Sequence, residues 1–456
     1  MKRSFPRSLA LGSFICVVAV MFICLAVWHL EPQLPLFLGC LIASAAALAA
    51  GCTARQIGGG VVRGVRQALE AILILLLIGA LIGEWIAAGV VPAMIVYGLQ
   101  LISPRLFLPG AMLVCAALSM VLGSWGTAGT VGLALMGIAQ AFGVPMPLAA
   151  GAVISGSYVG DKLSPLADTT NLAAAVAEVG VFQSIRNIAR VATPMLVLTL
   201  GLYTLAGLPY GDAAGATPEE VRAVSQALSG AFSISLLNFL PLLLLIVCIL
   251  AKIPPIPSLA IGAGVGALFA AVVQRADIGD VLRCLWDGYR GQTGTESVDQ
   301  LLTAGGVWSM AGTVSIIVLA MSFGGIMDET GQIHALMEPL IRRLRSFPAL
   351  MAAAVFTCVG INVLLPDQYI AIALPGKMYA DAFDRQKAGR LDLALAIGVG
   401  GALTSSLVPW NTCGMFMSGV LGVDTLHYLP FAFYNLSMLP AAVVYAALKE
   451  RKKRKG

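Results

Sequence analysis

Long apolar stretches, separated by short polar segments, run through almost the whole chain. Several reach the roughly 20 apolar residues that a helix needs to span a bilayer. Examples are residues 9–28, 71–91, 239–251 with its neighbours and 309–326. The pattern predicts an all-α integral membrane protein that crosses the bilayer many times. We expect about 11–14 membrane segments, with the lower number applying where some segments are re-entrant.

The composition supports this pattern. Of the 456 residues, 59% are apolar and 11% are charged, whereas soluble domains carry about 25% charged residues. A soluble multidomain protein is therefore excluded. The N-terminal apolar run follows Lys2, Arg3 and Arg7 without a small-residue cleavage site, so we interpret it as the first span. The nine cysteines lie mostly in apolar runs without paired spacing, which predicts neither disulfides nor a metal cluster.

Basic residues gather at the ends of the apolar runs, which is the positive-inside pattern of membrane proteins. They account for the net charge of +5, so nucleic acid is not expected as a partner. The pattern predicts two cytoplasmic termini and a basic cytoplasmic tail, 449–456, next to the lipid bilayer. The other cytoplasmic clusters are Arg55, Arg63 and Arg66, Arg186 and Arg190, Lys252, Arg342, Arg343 and Arg345, and Arg385, Lys387 and Arg390.

This orientation gives two blocks of four crossings with opposite polarity, as in inverted-repeat secondary transporters. The first block has crossings near 107–122, 125–142, 145–180 and 188–208, and the second near 347–365, 366–381, 391–422 and 427–448. Residues 163–171 also resemble residues 407–414, although chance similarity is an alternative in chains rich in small residues.

The predicted organisation has five parts. They are N-terminal membrane helices (1–68), a first repeat (69–208) with a broken segment at 151–178, connecting helices and external loops (209–302), a second, inverted repeat (303–448) with a broken segment at 391–422, and the basic tail (449–456).

Proline interrupts both broken segments. Pro165 and Pro409 lack a backbone N–H and free carbonyls at membrane depth. Unwound backbone is tolerated there only where it is buried in protein or lines a cavity, and in transporters such breaks commonly build the ion or substrate site. We therefore expect discontinuous helices that enclose a site near the bilayer midplane.

Oxygen-bearing side chains crowd around the first break. Acids inside a membrane are costly and so are functional candidates by default. A desolvated carboxylate can also exchange a proton for a cation near neutral pH. We predict a cation and proton site in which the two acids bind Na⁺ or H⁺ and the neutral groups add oxygens. Its residues are Asp161, Asp168, Ser164, Thr170 and Asn171.

Two purely structural roles compete with this prediction. Asp161 or Asp168 can pair with Lys162 as a charge-neutral brace, and Asp168 can cap the helix that restarts after Pro165. We interpret Lys162 as such a brace, or as the positive charge that replaces the cation in the empty state.

Three further positions complete the candidate set. Asp367 is either the matching acid of the second block or an interfacial residue at a span end. Asn411 and Thr412 offer neutral oxygens at the second break. Glu84, inside the third apolar run, is either a proton carrier or half of a buried ion pair. Trp125 is expected to pack.

Enzyme signatures are missing. Residues 156–162 differ from a phosphate-binding loop in spacing and in the residue after lysine. The three histidines are too scattered for a metal site. We therefore expect no catalytic residues, no cofactor and no enzyme activity.

Together, these residues resemble the NhaC family of Na⁺/H⁺ antiporters over roughly residues 68–445. The motifs that carry the resemblance are Ile82-Gly83-Glu84-Trp85, Ser124-Trp125-Gly126-Thr127, residues 160–171, Asp367-Gln368-Tyr369 and Pro409-Trp410-Asn411-Thr412-Cys413-Gly414. The resemblance implies Na⁺/H⁺ antiport by alternating access in the cytoplasmic membrane. Family members that exchange small organic acids, such as a malate/lactate exchanger, keep an organic anion open as a partner. A homo-oligomer is also open.

The chain departs from the family pattern at three places. It has Gly398-Val399-Gly400-Gly401 where relatives often carry a Glu-Asp pair, Ala167 where they tend to have serine, and Glu84 where they tend to have a neutral residue. We therefore expect an asymmetric site with its charge around Asp161 and Asp168. The alternative function is Na⁺- or H⁺-coupled transport of a small carboxylate or amino acid. A passive channel or scaffold is disfavoured by the intramembrane acids.

Overall fold

The computed structural model describes residues 5–28, 30–211, 217–251, 253–337, 346–365, 367–386 and 389–455. Within these ranges the chain forms helices joined by turns and loops, with one isolated antiparallel bridge, between Tyr289 and Ala304, and no strand. The predicted all-α class is confirmed. Several predicted features lie outside the described residues, namely the basic residues Lys2, Arg3, Lys252, Arg342, Arg343, Arg345 and Lys387, and Pro366.

The described part of the first 208 residues forms ten α-helices. They are α1 (Arg7–Phe22), α2 (Gln33–Ala49), α3 (Ala54–Gln67), α4 (Leu69–Ala87), α5 (Val90–Leu101), α6 (Phe107–Thr127), α7 (Leu133–Ala141), α8 (Met146–Leu163), α9 (Asp168–Val176) and α10 (Val181–Gly207). A π-helical turn, Ala128–Gly132, joins α6 to α7.

The described part of the remaining chain forms thirteen more. They are α11 (Pro218–Ala231), α12 (Leu240–Leu250), α13 (Pro255–Val272), α14 (Ile278–Asp287), α15 (Glu296–Leu302), α16 (Ala311–Glu329), α17 (Gln332–Met337), α18 (Phe347–Leu364), α19 (Gln368–Arg385), α20 (Arg390–Ile397), α21 (Thr412–Leu421), α22 (Thr425–Tyr428) and α23 (Phe433–Lys455).

In the part of the chain that the structure describes, six helical stretches are long and apolar enough to cross a membrane, and eight if two bent helix pairs each count as one span. The six are Leu69–Ala87, Pro104–Ala141, Val181–Gly211, Pro255–Val272, Trp308–Glu329 and Phe347–Leu364. The chain is thus a multi-pass membrane protein. The total of 11–14 segments stays a prediction, because shorter and broken apolar helices such as α1, α2, α5 and α21 fall outside this set.

Gly123 interrupts the longest stretch. Pro104–Ala141 has 38 residues, which at 1.5 Å per residue is about 57 Å, nearly twice the hydrocarbon thickness of a bilayer. Gly123 adopts φ 70° and ψ 173° within it, a conformation open essentially only to glycine. The interruption lies between the predicted crossings 107–122 and 125–142.

Two glycines on α8 bring its backbone against α6. A methyl group added at Gly156 would lie 2.2 Å from the carbonyl oxygen of Met112, and one at Gly160 would lie 2.2 Å from that of Ala116. Small residues four apart are a common way for membrane helices to approach closely. This contact fixes the end of α8, which carries Asp161.

The second half is built around α18, α19, α20 and the C-terminal helix α23, which also packs against α8 and α10. Helix α18 ends at Leu364 and α19 begins at Gln368, so the chain is interrupted between them. The inverted repeat and the five-part organisation stay predictions.

Candidate ion-binding site

The first break separates α8, which ends at Leu163, from α9, which begins at Asp168. Ser164 turns the chain into an extended conformation (φ −98°, ψ 131°) just before Pro165. Its hydroxyl donates to the carbonyl oxygen of Met120 at 2.6 Å and accepts from the amide of Leu166 at 3.1 Å. Ser164 therefore anchors the break to α6.

The backbone groups that the break frees find side-chain partners. The Asn171 amide donates to the carbonyl oxygens of Pro165 (2.9 Å) and Ala167 (2.8 Å), and the Thr170 hydroxyl donates to that of Asp161 (2.9 Å). Buried backbone carbonyls are costly when unpaired. Ser164, Thr170 and Asn171, predicted as cation ligands, thus hold the break in shape in this state.

Asp161 and Lys162 form a buried ion pair at the end of α8. Asp161 is 2% exposed and Lys162 is 0% exposed, and Lys162 Nζ lies 3.2 Å from Asp161 Oδ2. The Thr169 hydroxyl accepts from Lys162 Nζ at 2.6 Å and donates to Asp161 Oδ2 at 2.7 Å. The pair makes this point of the cluster charge-neutral.

Asp168 lies at the exposed side of the same cluster. Its Oδ1 accepts from the backbone amide of Thr169 at 2.7 Å, in the first turn of α9, and its Oδ2 accepts from the hydroxyl of Tyr369. Thr169 therefore links the two carboxylates, one buried and one accessible. Tyr369 brings α19 of the second half to the first break.

The second break follows α20. A π-helical turn, Gly398–Leu403, leads out of α20, and α21 restarts at Thr412 with Asn411 as its N-cap. The Asn411 oxygen accepts from the amide of Cys413 at 3.1 Å, and its amide donates to Asn362 Oδ1 at 3.0 Å. Thr412 is buried beside it.

Asn362, on α18, ties this break together. Its amide donates to the carbonyl oxygen of Gly401 at 2.6 Å and to the hydroxyl of Thr404 at 2.9 Å. Trp410 donates its indole N–H to Val363 on the same helix at 2.8 Å. The second break is thus held by α18, as the first is held by α6.

Asp367 is buried, with 7% of its surface exposed. It caps the N-terminus of α19, where its Oδ1 accepts from the amide of Ile370 at 2.9 Å. Two residues later, Tyr369 contacts Asp168. Asp367 is more deeply buried than an ordinary residue at the membrane interface.

The two breaks face each other through aromatic and polar side chains. Trp125, next to the Gly123 interruption, stacks on Phe416 of α21 with ring centres 4.3 Å apart and planes 9° apart. The Tyr158 hydroxyl lies beside Ser405 and Cys413. Among the described residues, Tyr434 OH and Asn435 Oδ1 are buried here without a hydrogen-bond partner. Such unpaired groups suit a polar guest between the breaks.

Comparison with known proteins now decides the family. The model of the Na⁺/H⁺ antiporter family matches residues 156–449, which include both breaks. The chain belongs to this Na⁺/H⁺ antiporter family. The Na⁺/H⁺ antiporter NhaC of Bacillus subtilis (strain 168) is 36% identical over 95% of this chain and 95% of that protein.

Other antiporters are similarly related to this family member. The malate-2H⁺/Na⁺-lactate antiporter of Bacillus subtilis (strain 168) is 35% identical over 97% of this chain and 94% of that protein. The arginine/ornithine antiporter ArcD of Halobacterium salinarum (strain ATCC 700922 / JCM 11081 / NRC-1) is 32% identical over 91% of this chain and 86% of that protein. The resemblance inferred from the motifs is confirmed.

Glu84 lies apart from the breaks of this antiporter-family chain. It is fully buried on α4, against α13 and α14, and neither carboxylate oxygen has a hydrogen-bond partner. In the described part of the chain no basic side chain pairs with it. The alternative of a buried ion pair at Glu84 is therefore wrong for these residues.

Sequence reasoning missed one buried acid in this family member. Asp392, on α20, is fully buried, and its Oδ2 lies 2.6 Å from Lys449 Nζ of α23. Its Oδ1 is 3.4 Å from the Asn187 amide and 3.5 Å from the Tyr445 hydroxyl. Asp392 lies six residues before the π-helical turn that leads into the second break, so the second half is less depleted of charge than expected.

Thr169 and Tyr369 were also missed as parts of the site. Thr169 is one residue from Asp168 and belongs to the same polar run, so the density of oxygen donors was a usable signal. Tyr369 is 201 residues from Asp168, and no local pattern links two such positions. The sequence alone therefore predicted the carboxylates better than their partners.

Proposed function

We propose that this chain exchanges Na⁺ for H⁺ across the cytoplasmic membrane by alternating access, with both termini on the cytoplasmic side. The main observation behind this proposal is the pair of carboxylates at the first break. Asp161 is buried, Asp168 is accessible, and Thr169 forms a hydrogen bond to each of them. Membership of the Na⁺/H⁺ antiporter family and the names of its relatives support the same two ions. Transport of ions needs no cofactor and no enzyme chemistry.

Lys162 is the cation of the empty state in this proposal. A buried carboxylate without a positive partner is costly, and Lys162 supplies that partner at 3.2 Å. Na⁺ or H⁺ arriving at Asp161 takes over this role, and Lys162 separates from Asp161 while it keeps its bond to the Thr169 hydroxyl. Competition of two ions for one carboxylate is sufficient for antiport.

Asp168 is the first carboxylate that an incoming cation meets. It is exposed, and Tyr369 offers a hydroxyl oxygen beside it. Sodium prefers hard oxygen ligands, which carboxylates, hydroxyls and freed carbonyls provide. Ser164, Thr170 and Asn171 add oxygens when the first break rearranges. Asp367, Asn411 and Thr412 line the second-half side of the route.

The test is a proton-gradient assay in everted membrane vesicles. Addition of Na⁺ should dissipate the gradient with the unaltered protein, and Asp161→Asn or Asp168→Asn should abolish the response. Glu178→Gln, an exposed acid two residues beyond α9, is the matched control and should keep full activity. Full activity in both aspartate variants would overturn the site assignment.

A second candidate is exchange of a small carboxylate or amino acid, coupled to Na⁺ or H⁺. A buried lysine beside the break and the Tyr434 hydroxyl, which has no hydrogen-bond partner among the described residues, suit an organic anion, and the N-termini of α9 and α21 face the breaks. The names of two relatives point the same way.

Uptake into proteoliposomes separates the two candidates. Labelled malate, lactate and arginine are offered with and without a Na⁺ gradient. Accumulation of one of them against its own gradient identifies organic exchange. Absence of uptake, together with Na⁺-driven proton movement in the same vesicles, identifies Na⁺/H⁺ exchange alone.

A further inference from the structure

Glu84 is a buried acid that the cluster at the breaks does not use. It lies near the end of α4, it is 0% exposed, and neither Oε1 nor Oε2 has a hydrogen-bond partner. An ionised carboxylate in such a place has lost its hydration and gained nothing in return. The surroundings of Glu84 therefore favour the neutral, protonated form of its carboxyl group over the ionised form.

Helix α13 forms an apolar wall on one side of Glu84. A methyl group added at Gly266 would lie 3.2 Å from Glu84 Cβ, so α13 approaches closely at this point. The neighbouring Trp85 donates its indole N–H to the carbonyl oxygen of Gly262 at 3.1 Å. The residues of α13, Pro255–Val272, include no titratable side chain, so this wall offers Glu84 no counter-charge.

The opposite side of Glu84 is formed by α14 and the chain that follows it. Gly305 lies against Gly83, since a methyl group at Gly305 would be 2.3 Å from the Gly83 nitrogen. The amide of Gly306 donates to the carbonyl oxygen of Gly79 at 2.6 Å. The backbone of Gly305 and Gly306 thus packs directly on α4, at Gly83, next to Glu84, and at Gly79, five residues before it.

No titratable or charged group on the described elements packed against α4 gives Glu84 a positively charged partner. On α14, Arg283 is engaged with Asp280 at 2.9 Å, and both side chains are mainly exposed. Cys284 of α14 packs on α4 beside Glu84, since a methyl group added at Gly83 would lie 2.5 Å from the Cys284 carbonyl oxygen, and Asp287 is the remaining titratable group of α14. The other described elements in contact with α4 contribute Tyr97 on α5, Arg55, Arg63 and Arg66 on α3, Asp328 and Glu329 on α16, and Cys413 on α21.

We propose that Glu84 is a second proton-binding site, separate from the Asp161 and Asp168 cluster, and that it exchanges its proton through Cys284, Tyr289 and Asp299. The proposal stands on the unpaired, fully buried carboxyl group and on its position beside α14. The site itself does not depend on the proposed antiport. Only its consequence does, namely that Glu84 adds one titratable proton to the transport cycle.

The route outward runs along polar groups that are neighbours in space. The Tyr289–Ala304 bridge holds Tyr289 beside α14. Two residues later, Gly291 packs on Asp299, since a methyl group added at Gly291 would lie 2.4 Å from the Asp299 carbonyl oxygen. Asp299 accepts from the Thr293 amide at 2.5 Å and from its hydroxyl at 2.8 Å. These bonds, the backbone bond first, lower the pKa of Asp299. Asp299 thus stays ionised at neutral pH and attracts protons to the mouth of the route.

Infrared difference spectroscopy of the protein in lipid tests the protonation itself. The carbonyl stretch of a protonated carboxylic acid should be present at neutral pH and should be lost in Glu84→Gln. Glu70→Gln, an exposed acid on the same helix, should leave the band unchanged. A spectrum of Glu84→Gln identical to that of the unaltered protein would overturn the proposal.

A second variant keeps the test valid if Glu84→Gln fails to fold. Glu84→Asp retains the acid but moves the carboxyl group, so the carbonyl band should shift and not vanish. An unshifted band in a folded Glu84→Asp protein contradicts the assignment. The spectra need no transport, so a failure of antiport and a failure of this site are distinguishable.

The route is tested by the rate at which the carboxyl band responds to a pH jump. Tyr289→Phe should slow the change of the Glu84 band severalfold, whereas Tyr97→Phe, on α5, should not affect it. An equal rate in the unaltered protein and in Tyr289→Phe would overturn the route.

Discussion

Asp161 and Lys162 are adjacent in the chain, yet a helix normally directs adjacent side chains to different faces. They meet here because α8 ends at Leu163 and Thr169 folds back from α9 to bond both groups. Removing two charges from water is costly, and the contact repays that cost only while both partners are present. The pair therefore couples the protonation and occupancy of Asp161 to the position of a single lysine.

Lys162→Met tests this coupling. The change leaves Asp161 buried without a positive partner, which costs about 3–5 kcal/mol when one half of a buried ion pair is removed. The free energy of unfolding in detergent should fall accordingly. The double variant Asp161→Asn with Lys162→Met should recover much of the loss, because no uncompensated charge remains. A double variant that is less stable than Lys162→Met would contradict the pairing.

At the scale of elements, each break is supported by one neighbouring helix. Helix α6 receives the Ser164 hydroxyl and touches α8 at Gly156 and Gly160, while α18 holds the second break through Asn362. These supports use backbone carbonyls and amides, which keep fixed positions. With these supports, a helix can be interrupted at membrane depth while its two segments keep fixed positions.

Gly160→Ala tests the contact between α6 and α8. The new methyl group would lie 2.2 Å from the Ala116 carbonyl oxygen, so the helices must separate, at a cost of about 1–3 kcal/mol for an overpacked site. Transport should fall as well, since Asp161 is the next residue. Gly110→Ala on α6 is the matched control, because no atom lies within 4 Å of the added methyl group. Equal stability of the two variants would contradict the contact.

At the scale of the whole molecule, the C-terminal helix closes the second half. Lys449 of α23 pairs with Asp392 of α20 at 2.6 Å and lies 5.9 Å from the ring centre of Phe347 on α18. Tyr445 and Asn187 add weaker polar contacts. One cluster thus joins α10, α18, α20 and α23 near the entry to the second break.

Lys449→Met should weaken this junction. Asp392 would stay buried with only long hydrogen bonds, and loss of a bond to a charged group costs about 1.5–3 kcal/mol. The midpoint of thermal unfolding in detergent should fall, and so should the rate of transport. Lys452→Met, an exposed lysine one turn further on, should change neither. An unchanged midpoint in Lys449→Met would argue against the junction.

Local chemistry explains which features the sequence could predict. Proline lacks an amide hydrogen wherever it stands, so the break at Pro165 followed from one residue. The interruption at Gly123 fell between two apolar runs that the hydropathy pattern already separated. The acids Asp161, Asp168 and Glu84 stood out because lipid makes any charge conspicuous.

Long-range pairing explains what the sequence could not predict. Asp392 and Lys449 are 57 residues apart, and Asp168 and Tyr369 are 201 apart. Their meeting depends on how α19, α20 and α23 pack, which apolar patterns do not encode. Whether an acid such as Glu84 has a partner is likewise decided by three-dimensional packing. The partners of the site, more than its acids, required the structure.

The glycine contact between α6 and α8 also constrains how this protein can move. Two helices whose backbones touch cannot slide along each other without a collision, so we expect α6 and α8 to move together. Some contacts between the halves are made by side chains alone, at Tyr369 with Asp168 and at Trp125 with Phe416. Side-chain contacts can be broken and remade within one cycle. The boundary between outward-open and inward-open states is therefore expected there, directly across the exposed carboxylate.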